Sequence, residues 1–454
     1  MNQRIVAVIA SLGLLAAASP ALATQSRINA MGGHHKSITI EDETNIFALP
    51  SLLVRYGNMT YIDNIRQGMS NTVFGFHYSL SEDMVLAIYG GRINSGTRGV
   101  GDGFSAAGNA ITGGSAVGAG AQASQASLAG GGSTGVTSPV TGQSAANVDY
   151  KIGLLYALNI GATARLGVML NILGDDGDVE QPTGGRVDQG ALLIDLAAGF
   201  GLDFAAGELD LSLGFEIGAF GDERDGLNQR SGVPDVLVEN FAVDSHFGFR
   251  LEGRGNFEFY QQSHIVPFLR MHFGTQEVSN KNLPLGTVQT GSWQAFDLTV
   301  GTDIVFEPFE NVFVAPGIGL RFAQQTLEGS SGPANGRANS VDRDLDRKIS
   351  LPFYSIGVDV KLLSWLDFRF GAWQSVDFNR ASVTQNGTTT ERRSSDVVTE
   401  IKTGVGINLP VAESTLSLDI DINPLYWVNG PDFLTGGGNG TDNFGVSGAI
   451  KYDW

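Results

Sequence analysis

Leu209-Asp210-Leu211-Ser212-Leu213-Gly214-Phe215-Glu216-Ile217 decides the fold. Apolar side chains fall at every second position, and acids, Ser212 and Gly214 lie between them. Successive side chains of a strand point to opposite faces, so this segment is a strand with one greasy and one wet side. Leu416, Leu418, Ile420 and Ile422 oppose Ser417, Asp419, Asp421 and Asn423 in the same way. Phe247, Phe249 and Leu251 oppose His246, Arg250 and Glu252, with Arg254 continuing the polar side. Working outward, the period of two recurs in Tyr56–Ile65, Thr72–Leu80, Met84–Ile93, Asp149–Leu158, Thr163–Ile172, Leu192–Asp203, Phe296–Phe306, Val312–Phe322, Tyr354–Leu362, Leu366–Val376, Val397–Leu409 and Phe444–Trp454.

The links between these segments alternate in length. Ser81–Asp83, Asn159–Gly161, Ala205–Gly207, Glu307–Glu310, Leu363–Trp365 and Pro410–Glu413 are tight turns. Asn94–Asn147, Leu173–Gln189, Gly221–Val243, Glu277–Ser292, Gln324–Lys348, Asn379–Ser395 and Val428–Asn443 are long and polar. Counting through this rhythm gives about sixteen strands, with fourteen as the alternative. A soluble sandwich also alternates, but the short-long rhythm and the aromatics near strand ends (Trp293, Phe306, Phe322, Trp365, Tyr426, Trp427) favour a membrane barrel with interfacial girdles. The fold class is therefore all-β, a transmembrane antiparallel up-and-down β-barrel over residues 56–454.

Composition fits this reading. Of 454 residues, 62 are glycine, and 17% are charged against ~25% in ordinary soluble domains. A net charge of −19 argues against nucleic acid as a partner, because phosphate binding needs a basic footprint. The absence of cysteine excludes a disulfide scaffold, thiolate catalysis and Cys-ligated metals. Residues 1–23 read as a cleaved export signal: Arg4 precedes an apolar run from Ile5 to Ala18, and Ala21-Leu22-Ala23 supplies the small residues before cleavage at Thr24. That run is too short to span a bilayer, which takes about 20 residues. The tract within 94–147 is rich in Gly, Ala, Ser and Thr, with only Arg98 and Asp102 charged, and reads as a mobile external loop.

The final residues, Phe444-Gly-Val446-Ser-Gly448-Ala-Ile450-Lys-Tyr452-Asp-Trp454, carry apolar or small side chains at alternate positions and end in an aromatic. This resembles the terminal assembly signal of Gram-negative outer-membrane proteins, with Trp454 where Phe is usual. The resemblance implies an outer-membrane location, contact with outer-membrane lipid, and recognition of Tyr452 and Trp454 by the barrel-assembly machinery. Ala30-Met31-Gly32-Gly33, then Glu41–Phe47 and Pro50, resembles the N-terminus of long-chain fatty-acid transporter-like barrels. Here Leu49-Pro50-Ser51 stands for that family's Asn-Pro-Ala, and the family has fourteen strands. The resemblance implies that residues 24–55 plug the lumen; the other reading is a periplasmic segment.

Inward positions read from the alternation carry many charges of both signs, including Arg250, Glu252, Arg254, Arg270, Asp419 and Asp421. Isolated charges in a dry interior cost several kcal/mol each, so the lumen is either hydrated or a closely paired network. Sixteen strands leave an aqueous channel where eight are filled by side chains, which favours water. Asp175, Asp176, Asp178 and Glu180 lie in the third long link. By resemblance to general porins, whose third loop narrows the pore, they are candidate constriction acids; a solvated loop or a loosely held Ca²⁺ are the alternatives. His246 and His272 sit in no triad spacing and no Gly-x-Ser-x-Gly elbow occurs, so no enzyme, cofactor or metal centre is expected. The function expected from these features is passive diffusion of small hydrophilic solutes with mild cation preference. The porin-like reading is compatible with a homotrimer. The alternatives are a plugged barrel for hydrophobic compounds and a non-transporting surface protein.

Overall fold

The computed structural model describes residues 25–32, 38–65, 73–92, 150–180, 186–227, 236–260, 263–282, 287–331, 340–385, 388–411, 414–422 and 446–453. The signal segment 1–23, the Gly-rich link 94–147 and Trp454 lie outside them.

Sixteen strands form one closed barrel in which each pairs with its sequence neighbours. They are β1 (Met59–Ile65), β2 (Val73–Ser81), β3 (Met84–Arg92), β4 (Tyr150–Ile160), β5 (Ala164–Glu180), β6 (Arg186–Phe204), β7 (Gly207–Leu227) and β8 (Val236–Tyr260). The remaining eight are β9 (Ser263–Asn282), β10 (Thr287–Phe309), β11 (Val312–Ser331), β12 (Ser340–Leu363), β13 (Leu366–Gln385), β14 (Thr388–Val411), β15 (Ser414–Ile422) and β16 (Val446–Asp453). The last strand closes on the first in antiparallel register, Met59 against Asp453 and Tyr61 against Lys451. An even strand number is what allows that closure without a parallel pair, and closure leaves no open edge at the seam.

The burial pattern is inverted relative to a water-soluble protein. On β7 the buried residues are Glu208, Asp210, Ser212 and Glu216, while Leu211, Leu213, Phe215 and Ile217 are exposed. On β6, Leu192, Ile194, Leu196 and Phe200 face out while Asp195 faces in at 1% exposure. Ile152 and Leu154 on β4, and Leu166, Val168 and Ile172 on β5, extend the same belt. A contiguous apolar exterior of this kind needs hydrocarbon against it. Among the described residues no helix is long and apolar enough to cross a membrane; the crossing is made by strands.

The structure lengthens the strands relative to the sequence reading. Most of the long links are hairpin arms, not loops: β7 runs on to Leu227 and β8 begins at Val236. On β14, Thr388–Thr399 is exposed on both faces. An arm standing in water has no apolar side, so its period of two vanishes while its backbone ladder continues. The same correction applies to Leu173–Gln189: Asp175, Asp176, Asp178 and Glu180 are ladder residues of β5, opposite Ala191, Gly190, Asp188 and Arg186 of β6.

The belt sets a depth-dependent cost. Leu196→Arg is expected to destabilise the barrel by about 2–4 kcal/mol, whereas Thr390→Arg on the exposed arm changes stability by less than about 0.5 kcal/mol. Urea titration of the protein folded into lipid vesicles measures both; equal costs would remove the assignment of Leu196 to the hydrocarbon layer.

Candidate functional site

The described part of the chain before β1, residues 25–32 and 38–58, lies inside the barrel. It begins as a short helix α1 (Gln25–Ala30) and turns at Met31-Gly32, where Gly32 adopts φ 116°. Further on, two 3₁₀ turns, Glu43–Phe47 and Pro50–Arg55, lead into the first strand. Asp42 caps the first turn, its Oδ1 accepting from the Thr44 amide at 2.8 Å, and Pro50 opens the second, where a missing N–H costs nothing. Ile28, Met31, Ile38, Ile46, Leu49, Leu52 and Leu53 are each 0% exposed. Short turns of this size do not bury their own side chains; the wall covers them.

Glycines on the inward face make the fit. A side chain at Gly167 would overlap the Pro50 carbonyl group, and one at Gly371 would overlap Met31-Gly32. At Gly199 and Gly357 a Cβ would lie 2.8 Å from Ser51 N and Met31 O, and at Gly404 it would lie 2.5 Å from the Ala30 Cβ. The inward glycines therefore seat the backbone of this N-terminal plug. The sequence does not show this role, because the segment that needs the room is more than a hundred residues away in the chain.

Charged side chains clamp the plug at both ends. Arg27 Nε donates to Asp359 Oδ2 at 2.9 Å, and Asp359 also accepts from Arg369, which bonds Asp419. Arg55 bonds Glu208 and reaches Glu41 at 2.7 Å. Glu208 and Asp210 are shared with Arg165 (3.2 and 3.1 Å) and with Arg254 (both 3.2 Å). Arg254 also reaches the Ile38 carbonyl oxygen at 3.4 Å, and Thr39 Oγ1 donates to Asp303. His77 on β2 holds the exit from the plug: its Nδ1 donates to the Tyr56 carbonyl at 2.5 Å, and its Nε2 meets the Tyr89 hydroxyl.

A second tier lies farther from the tight turns. Arg250 bridges Asp195 (2.8 Å) and Glu216 (3.4 Å), Arg270 and His272 both reach Glu252 at 3.1 Å, and Arg321 bonds Asp297 at 2.9 Å. Of the wall residues named from sequence, Arg250, Glu252, Arg254, Arg270 and Asp419 face inward, are buried, and join these clusters. Asp421 pairs by its backbone with Gly404 and Ser447, and Tyr452 pairs with Thr60 and Leu416. The side chains of Asp421, Asp175, Asp176, Asp178 and Glu180 lie outside the described residues.

Two features depart from the expected wet lumen. At the level of the plug the interior is a closely paired polar network around a packed segment, not a hydrated bore. The inward face of β3–β6 also carries an apolar stripe, in which Val85, Ala87, Tyr89, Leu155, Ala157, Met169, Leu173, Leu193 and Ala197 are buried, interrupted by Arg165, Asn171 and Asp195. Leu52, Leu53, Ile46 and Phe47 pack on part of that stripe, with Phe47 edge-on to Tyr89 at 4.8 Å. Sequence reasoning missed the stripe, although Ile152–Tyr156 reads as continuously apolar apart from Gly153. A strand greasy on both faces carries no alternation to say which side packs on protein. Within the plug, burial pushes the Asp42 and Tyr56 groups above their ordinary values. It pushes the Glu43 carboxyl well above the usual carboxylate range, reinforced by Asp42 and opposed by Lys451.

The glycine fit is open to a direct test. Gly371→Ala places a methyl group against Met31-Gly32 and is expected to cost the seated plug about 1–3 kcal/mol, as overpacking generally does. Trypsin cleavage after Arg27 and Arg55 in the folded protein should quicken by about fivefold or more while the barrel stays intact. Unchanged cleavage would mean that the wall does not hold the plug at this point.

No protein-family model matches the chain, and no curated protein matches it. Among solved structures, the toluene transporter TodX of Pseudomonas putida is similar at 11% identity and TM-score 0.39, covering 95% of this chain and 98% of that one. The toluene transporter TbuX of Ralstonia pickettii gives 10% identity and TM-score 0.37, with 95% and 97% covered. The ferric yersiniabactin uptake receptor FyuA of Yersinia pestis gives 8% identity and TM-score 0.39, with 87% and 79% covered. Likeness at this level carries nothing about a ligand. By its own closed ladder and apolar belt, the chain is a sixteen-stranded transmembrane β-barrel of the outer-membrane type.

Proposed function

We propose that the protein is an outer-membrane transport barrel whose passage is closed by its own N-terminal plug and opens when that plug shifts. The observation that carries this reading is the fit of Ala30–Gly32 and Pro50-Ser51 against wall glycines, with Arg27 and Arg55 clamped to separate strands, β12 and β7. A segment bound by polar contacts that can be exchanged for water is suited to movement. One packed solely to complete a core would not need paired charges at each end.

The cargo class follows from the wall. A mostly apolar stripe on β3–β6 adjoins a wall on β7–β11 rich in paired charges, so the lumen is greasier on one side and more polar on the other. Small apolar or amphiphilic molecules match such a surface, the apolar part on the stripe and a polar end toward the charges. Free diffusion of hydrophilic solutes was the expectation drawn from strand number. It needs an unobstructed bore, and pairing of the wall charges also weakens the field that would prefer cations.

A reversible lock tests the reading. The chain has no cysteine, so Thr39→Cys with Asp303→Cys introduces one designed pair where plug and wall already hydrogen-bond. In proteoliposomes, oxidation should abolish entry of a fluorescent alkyl probe, and reductant should restore it. Equal entry by oxidised and reduced barrels, with the crosslink confirmed by mass, would exclude gating by the plug.

A further inference from the structure

Glu43 is 0% exposed, and among the described residues no other side chain donates a hydrogen bond to either of its carboxylate oxygens; the polar groups that reach it are its own backbone amide and the Asp42 carboxyl. It sits at the start of the first 3₁₀ turn, in the half of the plug that faces the closing strands of the barrel. The neighbouring Asp42 is 1% exposed; one of its oxygens accepts from the Thr44 amide, and its carboxyl lies against that of Glu43. The charged and titratable groups facing this pair come from every side. Asp419 on β15 and Lys451 on β16 face Glu43, Arg27 of α1 faces Asp42, and Tyr56 at the end of the plug faces both acids. Asp419 is itself bonded to Arg369, which leaves that cation engaged elsewhere. A buried carboxylate with few donors is costly when ionised and cheap when neutral.

On the plugged-barrel reading above, we propose that the plug is a proton-controlled latch, seated when Glu43 carries a proton and loosened when Glu43 ionises. The acid does not act as a clamp; Arg27 and Arg55 do that. It sets how costly the seated state is. The sign follows from linkage. A displaced plug exposes Glu43 to water, where its carboxyl titrates at the ordinary value of 4.5. In the seated plug, burial, with Asp42 adding to it, raises that value well above the ordinary one against the opposing pull of Lys451. Seating therefore takes up protons. Its proton-linked advantage is complete below about pH 4.5 and is lost as pH rises through the raised value. Asp42 is displaced in the same direction and adds to the effect.

The test uses the full barrel folded into phosphatidylcholine vesicles. Ser51→Cys places a single thiol in the buried plug, and its reaction with a charged maleimide reports displacement. Rates are compared at each pH between chains with native Glu43 and with Glu43→Gln, so the thiol's own pH dependence cancels in the ratio. We expect a ratio near one at pH 4.5 that rises at least tenfold by pH 8.5, and Glu43→Asp should keep the rise. A flat ratio, or one that falls with pH, overturns the latch. Should Glu43→Gln fail to fold, the native-Glu43 chain is compared with Ser394→Cys on the exposed arm of β14, and a constant Ser51-to-Ser394 ratio overturns it equally. Labelling that follows Glu43 while the Thr39–Asp303 lock leaves probe entry untouched supports the latch and removes the transport reading. The reverse pair of results removes the latch alone.

Discussion

Backbone hydrogen bonding in hydrocarbon governs the whole molecule. Inside a bilayer no water is present to take up an unpaired N–H or C=O, so a sheet can cross only if its last strand finds its first. Here β16 closes on β1 through Met59–Ile65 and Gly448–Asp453. Once the ladder is closed, each residue of a crossing strand has one side on lipid and the other on the lumen. The inverted burial of β7, with acids inside and leucines outside, is the direct consequence.

Closure at sixteen strands creates a second problem, a bore too wide for wall side chains to fill. The N-terminal plug fills the tight-turn end of that bore. It does so with its backbone as much as with its side chains, and that explains why glycines of β5, β6, β12, β13 and β14 lie under Pro50-Ser51 and Ala30–Gly32. Beta carbons at those positions would hold the plug off the wall. The apolar plug residues then pack on the greasy stripe of β3–β6, while Arg27 and Arg55 reach the carboxylates of β12 and β7.

The charged clusters are arranged so that hardly any guanidinium stands alone. Arg165, Arg254 and Arg55 share Glu208, and Arg250 spans two strands' acids. Removing one member of such a set strands a buried charge, which costs far more than an exposed pair ever contributes. Glu43 stands apart from this pattern: it is buried, and among the described residues no basic side chain bonds it.

Strand periodicity, the alternation of tight and long links and the even strand count were legible in the residues, because lipid and lumen impose opposite chemistry on successive positions. Arg250, Glu252, Arg254, Arg270 and Asp419 were legible as inward wall for the same reason. The hairpin arm of β14 was not, since exposure of both faces leaves no alternation to read. Nor was the apolar stripe of β3–β6, where greasy residues lie on both faces of the strands. Whether Arg27–Tyr56 lay within the lumen or outside it was a question of packing between segments far apart in the chain. Short-range pattern determines which side of a strand is wet. Only the closed barrel decides what stands opposite Gly167, Gly371 and Asp303, because those contacts exist solely once the wall has curved round on itself.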